Sequence, residues 1–242
     1  MQWEDRGVVL GGRVYGETSV IVELLTAQHG RHLGVVRGGR SRRLRPVLQP
    51  GNSVMATWRA RIDDHMGTYA VEGLTLRAAQ VIGDAVALHA LNHLCGLARL
   101  LPERDPHPVL HGMLDLMMDT VGTRQVLALQ MVQFELSLLA ELGFGLDLGS
   151  CAATQSREDL HYVSPRTGRA VSSTAGAPYR DRMLVLPAFL RPDASDARVT
   201  EEDLAAAFRL TEHFMLRDIF APRNLPPPAA RRAYLALMLA GP

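Results

Sequence analysis

The hydrophobic rhythm of the chain changes near residue 80, and this change constrains the fold more than any other feature of the sequence. Before it, short runs of β-branched and aliphatic residues alternate with glycines, as is typical of short strands. After it, apolar residues recur every three or four positions, as is typical of helices. We therefore expect an α+β, multi-domain protein with one domain at residues 1–79 and a helical domain at residues 80–242.

The N-terminal part contains five strand-like runs, at residues 7–10, 19–25, 31–36, 53–58 and 68–71. Gly11 and Gly12 predict a break directly after the first run. No convincing helix lies between the runs, which predicts a small closed or nearly closed barrel. A five-stranded OB fold has this number of strands, and an SH3-like barrel fits the strand count equally well.

The C-terminal part contains four helix-like runs. Their signals are apolar positions from Leu91 to Leu101 before Pro102, the same spacing from Leu127 to Leu142, a capping-box start at Thr200 and Asp203, and a last run around Tyr234. Between the second and third runs, residues 148–198 are rich in Ser, Gly, Pro and Arg. This stretch is predicted to be an irregular excursion from the helical domain.

Composition excludes several classes of protein. An apolar fraction of 47% over 242 residues argues against disorder, and two cysteines, Cys95 and Cys151, are too few for a disulfide scaffold. No apolar run reaches the roughly 18 residues of a membrane span, and the N-terminus does not read as a signal peptide. We expect a cytoplasmic protein that does not act on membranes.

Cations are concentrated in one short segment. The chain has no lysine, and residues 1–80 hold eleven arginines against seven acidic residues. Five arginines fall within residues 37–45, with two glycines and no acid: Arg37, Arg40, Arg42, Arg43 and Arg45. Arginine makes forked contacts to phosphates, so this segment is a candidate for binding a nucleic-acid backbone. The alternative is a solvated basic loop without a ligand.

Two aromatic residues near arginines are candidate stacking platforms for single strands. Tyr15 lies near Arg13, and Trp58 lies beside Arg59. A tryptophan within a strand is also typical of a half-buried core position, and this alternative is the stronger one for Trp58.

Motifs for catalysis are weak. His89 and His93 share a helix face near Cys95, but the intervening residues lack the Glu that a zinc protease uses, and no further ligand cluster accompanies them. There is no Gly-x-Ser-x-Gly motif, no phosphate-binding Gly-Lys-Ser/Thr and no lysine for a Schiff base. We expect a protein without catalytic residues, metal or cofactor; a hydrolase using His89 and His93 is the least favoured alternative.

An ordered series of short motifs resembles the RecO family of bacterial recombination mediators. They are spread over most of the chain and lie at residues 7–10, 15–19, 24–26, 29–31, 36–40, 48–51, 100–103, 106–108, 134–136, 138–139 and 142–144. The resemblance implies an N-terminal OB fold, a helical C-terminal domain, and a non-enzymatic role in DNA repair at the nucleoid. It also implies binding of single- and double-stranded DNA, annealing of complementary strands, and loading of RecA with RecR on strands coated by single-strand-binding protein, whose acidic C-terminal tail is a further partner.

The sequence departs from many members of that family at a four-cysteine zinc module. Cys151 stands at the first ligand position, but Thr154 occupies the second, and no cysteine occurs near Ser172, where the second pair is expected. We therefore expect residues 148–198 to be a degenerate zinc-ribbon-like region without zinc.

The arginines are assigned to DNA binding as follows. The five loop arginines are the expected phosphate contacts, and Arg13, Arg31 and Arg59 are expected outer contributors. The alternative function is a protein-interaction adaptor whose barrel binds no nucleic acid.

Overall fold

Five strands at the N-terminus close into a barrel. They are β1 (Gln2–Tyr15), β2 (Ser19–Thr26), β3 (Gly30–Val36), β4 (Ser53–Arg59) and β5 (Thr68–Thr75). The structure is a computed structural model, and it describes residues 1–62, 65–120, 124–192, 194 and 199–238. Around the barrel the strands follow the order β1-β2-β3-β5-β4, with β4 returning to β1.

Only one pair of neighbouring strands in the barrel is parallel. β3 pairs with β5 in parallel, through Val35 with Thr68 and Val36 with Tyr69, and every other neighbouring pair is antiparallel. This connectivity is that of an OB fold, so the predicted five-stranded OB-type barrel is confirmed.

β1 is longer than the sequence indicated. The break expected at Gly11 and Gly12 is wrong, because β1 continues through both residues and changes partner from β4 to β2 along its length. A bulge between Val9 and Gly11 bends the strand at this change of partner. Gly12 allows close packing there, since an added Cβ would lie 3.0 Å from Cγ1 of Val20.

The barrel core is apolar and also receives residues from the segment between β3 and β4. Val9, Leu24, Val54 and Trp58 are fully buried in it, Leu48 of that segment is also buried, and Leu44 and Val47 pack against it partly buried. That connection is therefore packed onto the barrel rather than extended into solvent.

The helices are α1 (Ala85–Ala98), α2 (Pro108–Asp119), α3 (Arg124–Glu141), α4 (Ser173–Gly176), α5 (Glu201–Phe214) and α6 (Ala229–Met238). The predicted capping box is present at α5, where the side chains and backbones of Thr200 and Asp203 bond reciprocally. The sequence analysis missed α2, although Leu110, Leu114 and Met117 are spaced for one buried face and Pro108 suits a first turn.

The segment at residues 148–198 contains more regular structure than expected. Three short strands, β6 (Leu160–Val163), β7 (Ala170–Ser172) and β8 (Leu184–Val185), form an antiparallel sheet in the order β7-β6-β8. Strands of two to four residues are too short for their alternation to be recognised in the sequence, which is why an irregular stretch was predicted.

The chain forms two compact units. The first comprises Met1–Leu127 together with Pro228–Pro242, and the second comprises Ala128–Pro227. Within the first unit, α6 packs against α1, so the C-terminal helix belongs with the barrel. The boundaries of these units differ from those of the predicted domains, because residues 80–127 and α6 lie in the same unit as residues 1–79. Among the described helices, none is long and apolar enough to cross a membrane.

Candidate nucleic-acid interface

The arginine loop, defined as residues 37–45, connects β3 towards β4 and has an ordered backbone. The amide of Arg40 donates to the carbonyl of Thr18 (3.1 Å), which ties the loop to the β1–β2 turn. Within the loop, the amide of Ser41 donates to Gly38 (2.9 Å) and that of Arg45 donates to Ser41 (2.9 Å). The arginine side chains therefore extend from a fixed backbone.

Two residues following the loop anchor it to the first unit. Leu48 is buried in the barrel core. The buried side chain of Asn52 donates to the carbonyls of Pro46 (2.8 Å) and Val47 (3.1 Å) and accepts from the amide of Ala78 (2.9 Å). The sequence analysis missed Asn52, because its partners are fixed only by the folded path of the chain.

Each glycine of the arginine loop has a structural reason. Gly38 has a φ of +66°, a backbone conformation that glycine adopts readily and that residues with a Cβ adopt only with strain. At Gly39, a Cβ would lie 3.1 Å from atoms of both Val20 and Leu48. The first glycine permits the turn, and the second allows the loop to pack closely on the barrel.

The five loop arginines are exposed and carry no paired carboxylate. Among the residues that the structure describes, no Asp or Glu lies within ion-pair distance of their guanidinium groups. Nη1 of Arg40 donates a hydrogen bond to a neutral acceptor, the carbonyl of Glu17, at 2.6 Å. Their positive charge is thus available to an anionic ligand.

Six of the predicted arginines line two clefts. The first cleft, of about 480 Å³, lies between the arginine loop and the β1–β2 hairpin and contains Arg13, Arg40 and Arg45. The second cleft, of about 390 Å³, lies between the loop and strands β4 and β5 and contains Arg37, Arg43 and Arg59. None of the residues that line these two clefts is acidic. Arg42 is exposed on the loop and lines neither cleft.

Arg31 has a different environment from the other predicted arginines. Its guanidinium forms ion pairs with the buried Glu23 and with Glu103, and its Nε donates to the carbonyl of Leu101 at 2.6 Å. Only 16% of the side chain is exposed, and Arg99 pairs with the other oxygen of Glu23. Arg31 therefore neutralises a carboxylate within the protein and is not grouped with the two clefts.

The two candidate stacking residues also differ. Trp58 is fully buried, donates from Nε1 to the carbonyl of Met66 (2.9 Å) and stacks on Trp3 in the barrel, so it is a core residue. Tyr15 is 55% exposed at the end of β1, beside the equally exposed Val14, which lines the first cleft. Only Tyr15 is placed to stack on a base.

A third groove, of about 430 Å³, is mainly apolar and adjoins the first cleft. Ile82 and Leu88 contribute exposed apolar surface to it, and Arg45, Gln49 and Pro50 line both this groove and the first cleft. An apolar groove with a cation at its edge suits a ligand that combines hydrophobic side chains with negative charge.

The histidines considered as metal ligands lie on α1 without further ligands. His93 is buried, and His89 is partly exposed. Among the described residues, no group of three or more His, Cys, Asp or Glu side chains is arranged to hold a metal ion. His111, on α2, is buried, and its Nε2 has no hydrogen-bond partner among the residues that the structure describes; burial lowers the pKa of its imidazole.

The region related to a zinc module is held together around Cys151 by hydrogen bonds. The buried Sγ of Cys151 accepts from the amide of Ser172 (3.2 Å) and lies 3.5 Å from its Oγ, and the amide of Ala152 donates to Ala170. Burial acts to raise the pKa of this thiol, but hydrogen bonds from Thr154 and Ser172 outweigh it and lower the pKa to about 6. One thiol and two hydroxyl groups do not fit a tetrahedral zinc site, which requires thiolate or imidazole ligands.

The closed five-stranded barrel followed by helices defines the class of protein, an OB-fold protein with a helical C-terminal part. The family model for the recombination protein O N-terminal domain matches residues 1–76, and that for the recombination protein O C-terminal domain matches residues 82–225. The chain therefore belongs to the RecO family of DNA repair and recombination proteins.

Several similar proteins, each named DNA repair protein RecO, match the chain over nearly their full length. The chain is 54% identical over 236 residues to the DNA repair protein RecO of Methylocella silvestris, covering 98% of this chain and 95% of that protein. It is 53% identical to the corresponding protein of a Bradyrhizobium species (97% and 95% covered) and 51% identical to that of Methylobacterium nodulans (98% of each).

Proposed function

We propose that this chain is a non-enzymatic recombination mediator that binds single- and double-stranded DNA through the arginine loop and its two clefts. The observation that carries the proposal is a set of exposed arginines that form no ion pair with any carboxylate among the described residues: Arg13, Arg37, Arg40, Arg42, Arg43, Arg45 and Arg59. Arg31, which the sequence also suggested, is left out because Glu23 and Glu103 already neutralise it.

The geometry favours phosphates as the ligand. A guanidinium without an internal counter-ion gains more from a phosphate than one that must first leave a carboxylate, and its forked donors match phosphate oxygens. The fixed loop backbone lowers the ordering cost of binding, because only side chains have to adjust. No base-reading contact is needed for this mode, so we expect binding with little sequence preference.

Annealing follows from charge neutralisation. Two complementary strands repel each other through their phosphates, and arginines bound to both backbones reduce that repulsion. A protein that holds phosphates leaves the Watson–Crick edges of the bases free to pair. We propose that the chain anneals complementary strands in this way and that it acts at the nucleoid.

The proposed partners are those of a mediator. We propose that the chain works with RecR to load RecA on strands coated by single-strand-binding protein. The apolar groove bounded by Arg45 is the proposed site for the acidic, apolar C-terminal tail of single-strand-binding protein, because exposed Ile82 and Leu88 offer apolar contacts beside a cation. A tail bound there would lie next to the first cleft.

The first test is the salt dependence of single-stranded DNA binding, measured by fluorescence anisotropy of a labelled oligonucleotide. The logarithm of the affinity should fall linearly with the logarithm of salt, and replacing the five loop arginines with Ala should lower both the affinity and the slope. Five lost phosphate contacts correspond to a slope smaller by about 3.5.

The matched control removes the same number of exposed arginines from the second unit by substitution with Ala: Arg157, Arg166, Arg180, Arg182 and Arg209. This variant should keep the slope of the unmodified protein. If the variant that lacks all five loop arginines also kept the salt slope and the DNA affinity of the unmodified protein, the loop would not bind DNA. Absent binding by the unmodified protein at low salt would favour the protein-interaction adaptor.

A further inference from the structure

Six of the predicted arginines are divided between two clefts. The residues that line the first and second clefts share no member: Arg13, Arg40 and Arg45 belong to one, and Arg37, Arg43 and Arg59 belong to the other. The first cleft is completed by the β1–β2 hairpin, and the second by β4 and β5. Arginines that are close in the sequence of one loop therefore line two different clefts.

The division is fixed by the backbone. Arg40 is held towards the β1–β2 turn twice, by its amide on Thr18 and by its Nη1 on the carbonyl of Glu17 (2.6 Å). Arg37 directly follows Val36, which pairs with Tyr69 of β5 and thereby keeps Arg37 beside the second cleft. Reorganising the loop into one surface would break these contacts.

Two leucines near the end of the arginine loop hold it on the barrel. Leu44 lines the second cleft with Arg43, whereas Leu48, three residues after the loop, lines the first cleft with Arg45. Both leucines pack on the barrel core, Leu48 buried and Leu44 partly buried. The loop between the clefts is therefore anchored and cannot be displaced without exposing core residues.

We infer that the arginine loop divides two single-strand binding sites on one chain, each cleft taking the phosphates of one DNA strand. This inference rests on the proposed function and adds to it: in annealing, one protein chain holds a pair of single strands, one strand in each cleft. Each cleft supplies three arginines, which suits a short stretch of backbone. Two strands bound side by side, with their charge partly neutralised, have only to align their bases to anneal.

Two triple variants separate the sites. The first-cleft variant carries Arg13→Ala, Arg40→Ala and Arg45→Ala, and the second-cleft variant carries Arg37→Ala, Arg43→Ala and Arg59→Ala. The control variant carries Arg157→Ala, Arg180→Ala and Arg182→Ala, which removes the same charge from exposed positions in the second unit. All six cleft positions are exposed, so each variant is expected to fold, which circular dichroism and thermal unfolding check.

The probe is a 5′-phosphorylated oligo(dT) of three nucleotides, whose three phosphates match the three arginines of one cleft and which cannot pair with itself. Native mass spectrometry counts the strands bound per chain. Energy transfer between donor- and acceptor-labelled copies reports two strands on one molecule. The unmodified protein and the control variant should bind two strands per chain and show energy transfer. Each triple variant should bind one, with an affinity within about threefold of the original, no energy transfer, and annealing of longer complementary strands reduced at least tenfold.

Failures of the inference and of the proposed function look different. One strand per chain in the unmodified protein, with both triple variants weakening that strand, would show a single continuous site and overturn the inference while DNA binding stands. If one triple variant lost all binding and the other bound DNA as the unmodified protein does, the inference would also be overturned, because only one cleft would bind a strand. Unchanged binding in both variants would instead overturn the proposed function itself.

Discussion

At the scale of single residues, the presence or absence of a carboxylate partner distinguishes the other candidate DNA-binding arginines from Arg31. Sequence position does not make this distinction. Seven of the eight are exposed, whereas Arg31 is enclosed by Glu23, Glu103 and the carbonyl of Leu101. In the sequence, Arg31 and Arg37 look alike, since Arg31 begins a predicted strand and Arg37 directly follows it. Only the folded chain brings Glu23 of β2, which pairs with Leu33 of β3, within reach of Arg31.

Substitution of Arg31 tests this distinction. Arg31→Ala leaves the buried Glu23 with Arg99 as its remaining ion-pair partner, so we expect a loss of about 3 kcal/mol in the free energy of unfolding. DNA affinity at constant salt should stay within about twofold. Arg40→Ala is the matched comparison and should do the opposite, because Arg40 is exposed and has no acidic partner among the described residues: stability within about 0.5 kcal/mol and weaker DNA binding. Urea unfolding and anisotropy measure the two quantities, and a DNA defect in a stable Arg31→Ala protein would contradict this assignment.

His111 makes stability depend on pH. Burial lowers its pKa, with Asp115 and Asp5 acting against this effect. The unfolded chain takes up a proton near pH 6.5 while the folded chain resists it, so stability is fully present above about pH 6.5 and falls as the pH drops. We expect His111→Gln to reduce the slope of unfolding free energy between pH 7 and 5 by up to about 1.4 kcal/mol per pH unit, equal to one proton. Urea titrations across this range decide it, and an unchanged slope would rule out His111 as the cause.

At the scale of elements, the order of the arginine loop depends on a residue outside it. Asn52 is the first residue before β4, and its side chain joins the end of the loop to the amide of Ala78. Sequence periodicity cannot reveal these contacts, because Pro46 and Val47 lie in a connection without a regular repeat and Ala78 comes near Asn52 only when β4 and β5 are paired.

Asn52→Ala should release the loop. Loss of three hydrogen bonds at a buried position is expected to cost about 1–3 kcal/mol of stability and to raise the rate of trypsin cleavage after the loop arginines. Gln49→Ala provides a comparison, since its exposed side chain donates only one bond, to the carbonyl of Arg45. Mass spectrometry of the early fragments locates the cleavage sites. Equal cleavage rates in the Asn52→Ala and unmodified proteins would show that the loop is held by other contacts.

At the scale of the whole molecule, the C-terminal helix belongs to the unit that contains the N-terminus. Tyr234 of α6 is fully buried and Arg231 is nearly so, and α6 packs against α1. The periodic apolar residues predicted α6 correctly as a helix. They could not indicate its partner, because an amphipathic face packs equally well on any apolar surface of suitable shape.

Shortening Tyr234 tests the contribution of α6 to the first unit. Tyr234→Ala removes a large buried side chain and should lower the unfolding free energy by about 3–5 kcal/mol. The exposed Leu237→Ala on the same helix should cost far less. Hydrogen exchange followed by mass spectrometry should show the loss of protection in α1 as well as in α6. Protection that falls only within α6 would contradict a shared packing unit.

The sequence by itself determined the features that depend on neighbouring residues: the five short strands, the capped start of α5, the apolar faces of α1, α3 and α6, and the concentration of arginines at residues 37–45. These follow from local periodicity, capping and turn chemistry, which act over a few positions. The tertiary structure decided the rest. Four features depend on which distant segments pair: the bulged path of β1, the enclosure of Arg31, the anchoring by Asn52 and the division of six arginines between two clefts. The pairing of distant segments is determined by burial of the whole core rather than by any local pattern.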